Sequence, residues 1–197
     1  MSLNIVKTSV ASAIEIFIKI YNVVTGGFTL FVTPLTTGDT IKAGTIMGYD
    51  ESTRIAKVVK QAILYEAEAD SETGYKVLKG HQFKVGEFIA LVTSGIAYAI
   101  TAITTTETAY DTITVGTTLG VAGAAGDVMF EAAAEATSNT SAFLVTPKGI
   151  LKNDVAVATN TEVNLVTRGI VYARRLPTGA HSTVRTALKL IEFSESY

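Results

Sequence analysis

The sequence predicts a mainly β chain, a compact β-barrel or β-tulip-like domain with two short helices, one near residues 130–136 and one near the C-terminus. Three observations carry this. Threonine occurs 29 times and, with the β-branched aliphatics, favours a pleated surface. Sixteen Gly and three Pro cut the chain into many short elements. Ile14, Ile16, Ile18 and Ile20 alternate with Glu15, Phe17, Lys19 and Tyr21, the period of two of a half-buried strand.

This first strand is expected to end at Thr25-Gly26-Gly27, and a second run, residues 28–32, stops at Pro34. A Gly-bracketed loop follows, Gly38-Asp39-Thr40-Ile41-Lys42-Ala43-Gly44-Thr45-Ile46. It recurs as Gly80-His81-Gln82-Phe83-Lys84-Val85-Gly86-Glu87-Phe88-Ile89, with a partial echo at Gly126-Asp127-Val128-Met129-Phe130. Glycine permits positive φ, so the chain can turn into and out of a short extended piece. Two readings stand: a common turn device, or repeated barrel substructure.

Residues 54–65 match a helical stripe and a strand almost equally. Their position before the polar tip 66–74 and Tyr75-Lys76-Val77-Leu78 favours a hairpin. Residues 88–106 carry no charge and approach the ~20 residues of a membrane helix. Ser94-Gly95 at their centre and their β-branched content point instead to two strands meeting at a turn. Residues 110–119 form a further β run. Phe130 to Ala136 (FEAAAEA) reads as a short helix by propensity, and Ser138-Asn139-Thr140-Ser141 as a joint. Residues 143–176 are again strand and turn. Val184, Ala187, Leu188 and Ile191 form a one-sided apolar helix, although residues 184–193 also suit an edge strand. The expected division is an N-terminal arm and strand (1–22), a β-rich region with a hairpin insertion (23–136) and a β region with the C-terminal helix (137–197), or all three in one folded unit.

Composition narrows the chemistry. The net charge of −2 supplies no global basic field for nucleic acid or an anionic membrane. Without Cys and with only His81 and His181, thiolate zinc sites, cysteine nucleophiles and His-rich metal sites are excluded. No hydrolase elbow or phosphate loop is present. Glu66, Glu68, Asp70 and Glu72 alternate through the polar tip. Oxygen ligands at that spacing can catch calcium, but the glycine and closing Glu of a calcium loop are missing, so a solvated acidic tip is expected. Both histidines read as surface or turn residues. No enzyme activity and no cofactor are expected. Arg168, Arg174 and Arg175 form a local basic group, either solvated strand ends or a contact for an acidic protein surface.

Pro147-Lys148-Gly149-Ile150-Leu151-Lys152-Asn153-Asp154-Val155 is followed by Val163-Asn164-Leu165-Val166-Thr167-Arg168-Gly169-Ile170-Val171 and then Arg174-Arg175-Leu176-Pro177. This order resembles the head decoration proteins of tailed bacteriophages: a Gly-Ile-Leu, acidic, Val turn, a strand ending in Gly-Ile/Val, then Leu-Pro and a short helix. Gly38-Asp39-Thr40-Ile41-Lys42-Ala43-Gly44-Thr45-Ile46-Met47-Gly48 resembles their opening. The likeness covers residues 38–50 and 143–191. Residues 57–131 are longer than such small proteins carry and are more similar to strand pairs of phage head proteins generally. The resemblance implies a β-rich fold with little helix and no active site, assembling as homotrimers on a capsid shell. Its partner would be the major capsid protein, and its place the virion after assembly in the host cytoplasm. Ile14, Ile16, Ile18, Ile20, Arg168, Arg174 and Arg175 are the candidate capsid contacts. The Ile strand would add to an exposed sheet edge of the partner or pair inside its own subunit. A head fibre or a carbohydrate- or surface-binding β-module is the alternative function.

Overall fold

The computed structural model describes residues 15–196. In chain order the strands are β1 (Phe17–Leu30), β2 (Thr40–Ile41), β3 (Ile46–Asp50), β4 (Ile55–Val58), β5 (Gln61–Ile63), β6 (Gly74–Leu78) and β7 (Phe88–Ala90). They continue with β8 (Tyr98–Thr104), β9 (Tyr110–Val115), β10 (Val128–Ala132), β11 (Gly149–Leu151), β12 (Val155–Ala156), β13 (Glu162–Tyr172) and β14 (Ile191–Ser194). A 3-10 turn (Ala173–Arg175) and helix α1 (Ser182–Ala187) lie between β13 and β14.

The strands make two closed units. In the first, the order β1-β4-β3-β11-β13 closes because β13 pairs antiparallel with β1, giving a five-stranded barrel. β14 extends it by pairing in parallel with the C-terminal half of β13, and β2 and β12 form a small ribbon. The second sheet has the order β5-β10-β7-β8-β9-β6, and a bridge between Leu64 and Val77 joins its edges. The chain therefore leaves the first barrel after β4, builds the second, and returns at β11. The first barrel is discontinuous in sequence. A boundary at residue 22 falls inside β1.

Strand alternation explains how the units pack. Met47 of β3, Leu151 of β11 and Leu165 of β13 point into the first barrel with Phe28, Leu30 and Ile41. Their neighbours Ile46 and Ile150 point outward, joining Val184, Leu188 and Ile191 beneath α1. In the second barrel Met129 of β10 points inward with Tyr75, Ile89 and Ile113. Phe130 points the other way, onto Phe143, with ring centroids 4.1 Å apart, and onto the edge of His181 at 5.1 Å.

The helix expected at 130–136 is a strand followed by turn. Phe130 and Glu131 pair with Ala90 and Ile89, and Phe130 is fully buried. Alanine propensity favours a helix by only tenths of a kcal/mol per residue, less than burying a phenylalanine returns. The C-terminal helix is present as α1, with Val184 and Leu188 buried and Ala187 exposed, and β14 follows it. β1 runs on through Gly26-Gly27, taking up a register shift between Val24 and Phe28. Within the expected joint, Ser141 Oγ accepts the Gly95 N–H and donates to the Val92 carbonyl.

The Gly brackets are one device used three times. Lys42, Lys84 and Ala124 each accept at their carbonyl the N–H of the residue three positions on, and Gly44, Gly86 and Gly126 stand third in these turns at φ +87°, +92° and +93°. Positive φ at that position defines a type II turn. Each glycine N–H also bonds across to another segment, at Leu151, Ile100 and Leu64, just before β3, β7 and β10. The turn thus recurs in both barrels.

Candidate interaction surface

The candidate contacts fall into two neighbouring places on the first barrel. On the outer face of β1 and β13, Tyr21 lies beneath the Lys19 ammonium at 5.1 Å and the Arg168 guanidinium at 5.5 Å. Asn22 Nδ2 donates to Thr167 Oγ1 at 2.9 Å beside them. Ile18 and Tyr21 are 43% and 53% exposed, so this face offers apolar and cationic surface together. Phe17, Lys19 and Ile20 pair with Val171, Ile170 and Gly169 of the same chain. The strand is therefore seated in its own subunit on that side, and among the described residues its other edge pairs only at Thr29–Leu30, with β4. Gly169 is required there: a Cβ would stand 2.6 Å from the Lys19 carbonyl oxygen. Ile14 lies outside the described residues.

The second place is a groove of about 670 Å³ walled by Ile16, Phe17 and Pro177 and rimmed by Lys42, Lys152 and Arg175. Arg175 stacks over Tyr172 at 4.1 Å and donates to the Glu15 carbonyl, while Arg174 approaches Glu195 at 3.6 Å. Beside the groove the two stretches that carry the family resemblance meet. Asp154 accepts from the Ala43 N–H at 2.8 Å and from Lys42 Nζ at 2.9 Å, and Val155 pairs with Ile41. The Ala43 N–H and then Lys42 hold the Asp154 carboxyl below the usual carboxylate range.

Charge is divided between the barrels. Residues 61–136 hold three Lys/Arg and ten Asp/Glu; residues 15–60 and 137–197 hold twelve and eight. With Lys7 these give the chain's −2. The first barrel is basic and the second acidic.

A buried ionic cluster sits where the barrels join. Lys60, between β4 and β5, has a side chain 1% exposed. Its Nζ hydrogen-bonds Glu87 Oε1, lies 3.7 Å from Glu131 Oε1 and 3.5 Å from the Pro34 carbonyl. Burial pushes the Glu131 carboxyl up to about 7 against the pull of Lys60. Sequence reading missed this cluster, because its members are 27 and 71 residues from Lys60 and only the strand order brings them together.

Neither histidine is a surface residue. His81 Nδ1 accepts from the Phe83 N–H, its Nε2 lies 3.3 Å from Asp111, and burial lowers its pKa. His181 caps α1 by accepting from the Thr183 N–H, with Nε2 facing the Leu91 carbonyl, and burial lowers it too. The acidic tip is only partly solvated: Glu66 pairs with Lys76, and the buried Glu68 accepts the Lys76 N–H. Among the described residues no three His, Cys, Asp or Glu side chains converge as a metal site, and no helix is long and apolar enough to cross a membrane. Comparison with protein-family models, with curated proteins and with solved structures finds no match.

Proposed function

We propose that the chain is a structural virion protein that binds and stabilises a phage or prophage capsid, as a homotrimer on the shell formed by the major capsid protein. The observation that carries this reading is the docking of the Gly38–Gly48 stretch onto the Pro147–Val155 stretch. Two short motifs, more than a hundred residues apart and both like those of head decoration proteins, close on each other through Asp154, Lys42 and Ala43. Residues 57–131, where the likeness weakens, supply the added second barrel. The basic first barrel, with Lys19, Tyr21 and Arg168 on its outer face, suits an acidic protein surface.

The test is co-sedimentation with empty capsids, with light scattering for the trimer. Arg168→Glu should weaken capsid binding about tenfold, the equivalent of ~1.4 kcal/mol, and leave the thermal midpoint unchanged. Failure of the wild-type chain to sediment with capsids, or binding to glycan arrays instead, would refute the reading.

A further inference from the structure

We propose that Lys60 and Glu87 join in an intramolecular amide bond, formed by the protein itself with Glu131 as the proton-transfer group. Three features place the reactants. The Lys60 side chain is almost wholly buried and its Nζ already touches Glu87 Oε1. The other oxygen of the same carboxyl, Oε2, accepts the Lys84 N–H at 2.8 Å. A second carboxyl, Glu131, lies 3.7 Å from the same nitrogen with its side chain 9% exposed.

The step balances without an external reagent. A proton moves along the Lys60–Glu87 hydrogen bond, leaving a neutral amine and a neutral carboxyl group. The nitrogen lone pair attacks Glu87 Cδ, and the charge that develops on Oε2 is met by the Lys84 N–H, a fixed donor aimed at that oxygen. Glu131 gives its proton to Oε1 and takes one from the nitrogen. Oε1 leaves as water, and Oε2 becomes the amide oxygen with its hydrogen bond intact. Nothing is oxidised or reduced. Glu131 suits the exchange because burial holds its pKa near neutrality. A cavity of about 160 Å³ walled by Phe31, Pro34, Leu144 and Val145 opens beside Lys60 and Glu131 and receives the water.

Burial also supplies a reason for the bond. With Glu131 protonated, Lys60 and Glu87 place two opposite charges out of water, where desolvation opposes the ions even when paired. Amide formation removes one positive and one negative charge and leaves a neutral Glu131. The bond would tie the crossover between the barrels to the turn before β7, where the two units meet.

Intact-mass spectrometry of the purified full chain after incubation at neutral pH tests this. The expected mass is below that of the sequence by one water, and proteolysis should yield a branched peptide joining Lys60 to Glu87. The full sequence mass, or a lost water mapped to any other pair, would overturn the proposal. Glu131→Gln should slow the mass change at least tenfold; an unchanged rate would remove Glu131 from the chemistry. The wild-type measurement decides the bond by itself, so a variant that fails to fold leaves that result standing.

Discussion

Phe130 offers the sharpest test of how the two barrels hold together. It sits on β10 of the second barrel, yet its ring is fully buried against Phe143, 4.1 Å away, and His181. Truncation to alanine removes a buried ring from a site flanked by Ala90, Ala97, Ala132 and Ala136, small residues that cannot spread to refill the space. Large-to-small changes of this kind cost about 3–5 kcal/mol, and the site's poor capacity to collapse places Phe130→Ala toward the upper end. Phe143 is half-buried, so Phe143→Ala should cost about 2 kcal/mol. Because the rings stack, the double variant should cost less than the sum of the two by ~0.5–1.5 kcal/mol. Urea unfolding followed by both far-ultraviolet circular dichroism and tyrosine fluorescence reads all four proteins. A cost for Phe130→Ala under about 1 kcal/mol, or strict additivity of the pair, would refute the claim that this stack binds the barrels.

Glu131, with its pKa raised from 4.5 to about 7, holds its proton longer in the folded than in the unfolded chain. Its contribution is therefore present at low pH and lost as pH rises from about 4.5 through 7; compared in chains of full sequence mass, with Lys60 and Glu87 unjoined, Glu131→Gln should gain up to ~3 kcal/mol on wild type over that window in urea titrations at stepped pH. The Asp154 pKa is lowered instead, so its contribution stands above the usual carboxylate range and falls as acid protonates it. Asp154→Ala should cost about 1 kcal/mol at pH 7, discounted for its half-exposed side chain, and progressively less as the pH falls through its lowered pKa. Gly86→Ala should cost about 1–2 kcal/mol for the left-handed backbone alone, since a Cβ there meets open space. Gly44→Ala should cost about 1 kcal/mol more by thermal denaturation, because its Cβ would press on Pro177 and Ile16 at 3.0 and 3.1 Å.

The turns were the most legible part of the chain, because a glycine forced to positive φ leaves a trace that no neighbour can override. Gly44 and Gly86 stand where their brackets placed them. The Ser94-Gly95 turn was legible as a turn dipeptide between β-branched runs, although there Ser94, at φ +56°, takes the left-handed backbone and not the glycine. The segment Phe130 to Ala136 was not: its alanines carry helix propensity, while the decisive fact, that Phe130 faces Phe143 and His181 across the joint, is tertiary. The histidines misled in a related way. Polar and set among Gly and Thr, they read as surface or turn residues, but each uses Nδ1 to satisfy a local backbone N–H and buries the rest of the ring. Of the interaction surface, Arg168 and the Ile strand were visible as patterns. The approach of both Lys19 and Arg168 to the Tyr21 ring depends on the register of β1 against β13, which sequence spacing does not report.

The separation of charge between the barrels has a consequence before any surface is touched. A body positive at one end and negative at the other is a dipole, and a charged wall exerts a torque on it. Within a few Debye lengths, each about 8 Å at physiological salt, an acidic wall would turn the first barrel inward and the second outward. Two copies approaching in solution would attract end to end and repel when aligned in parallel. Added salt would weaken both effects, slowing capture by the wall and randomising the pose on arrival. The charge pattern selects an orientation during the approach, ahead of the contacts that later fix it.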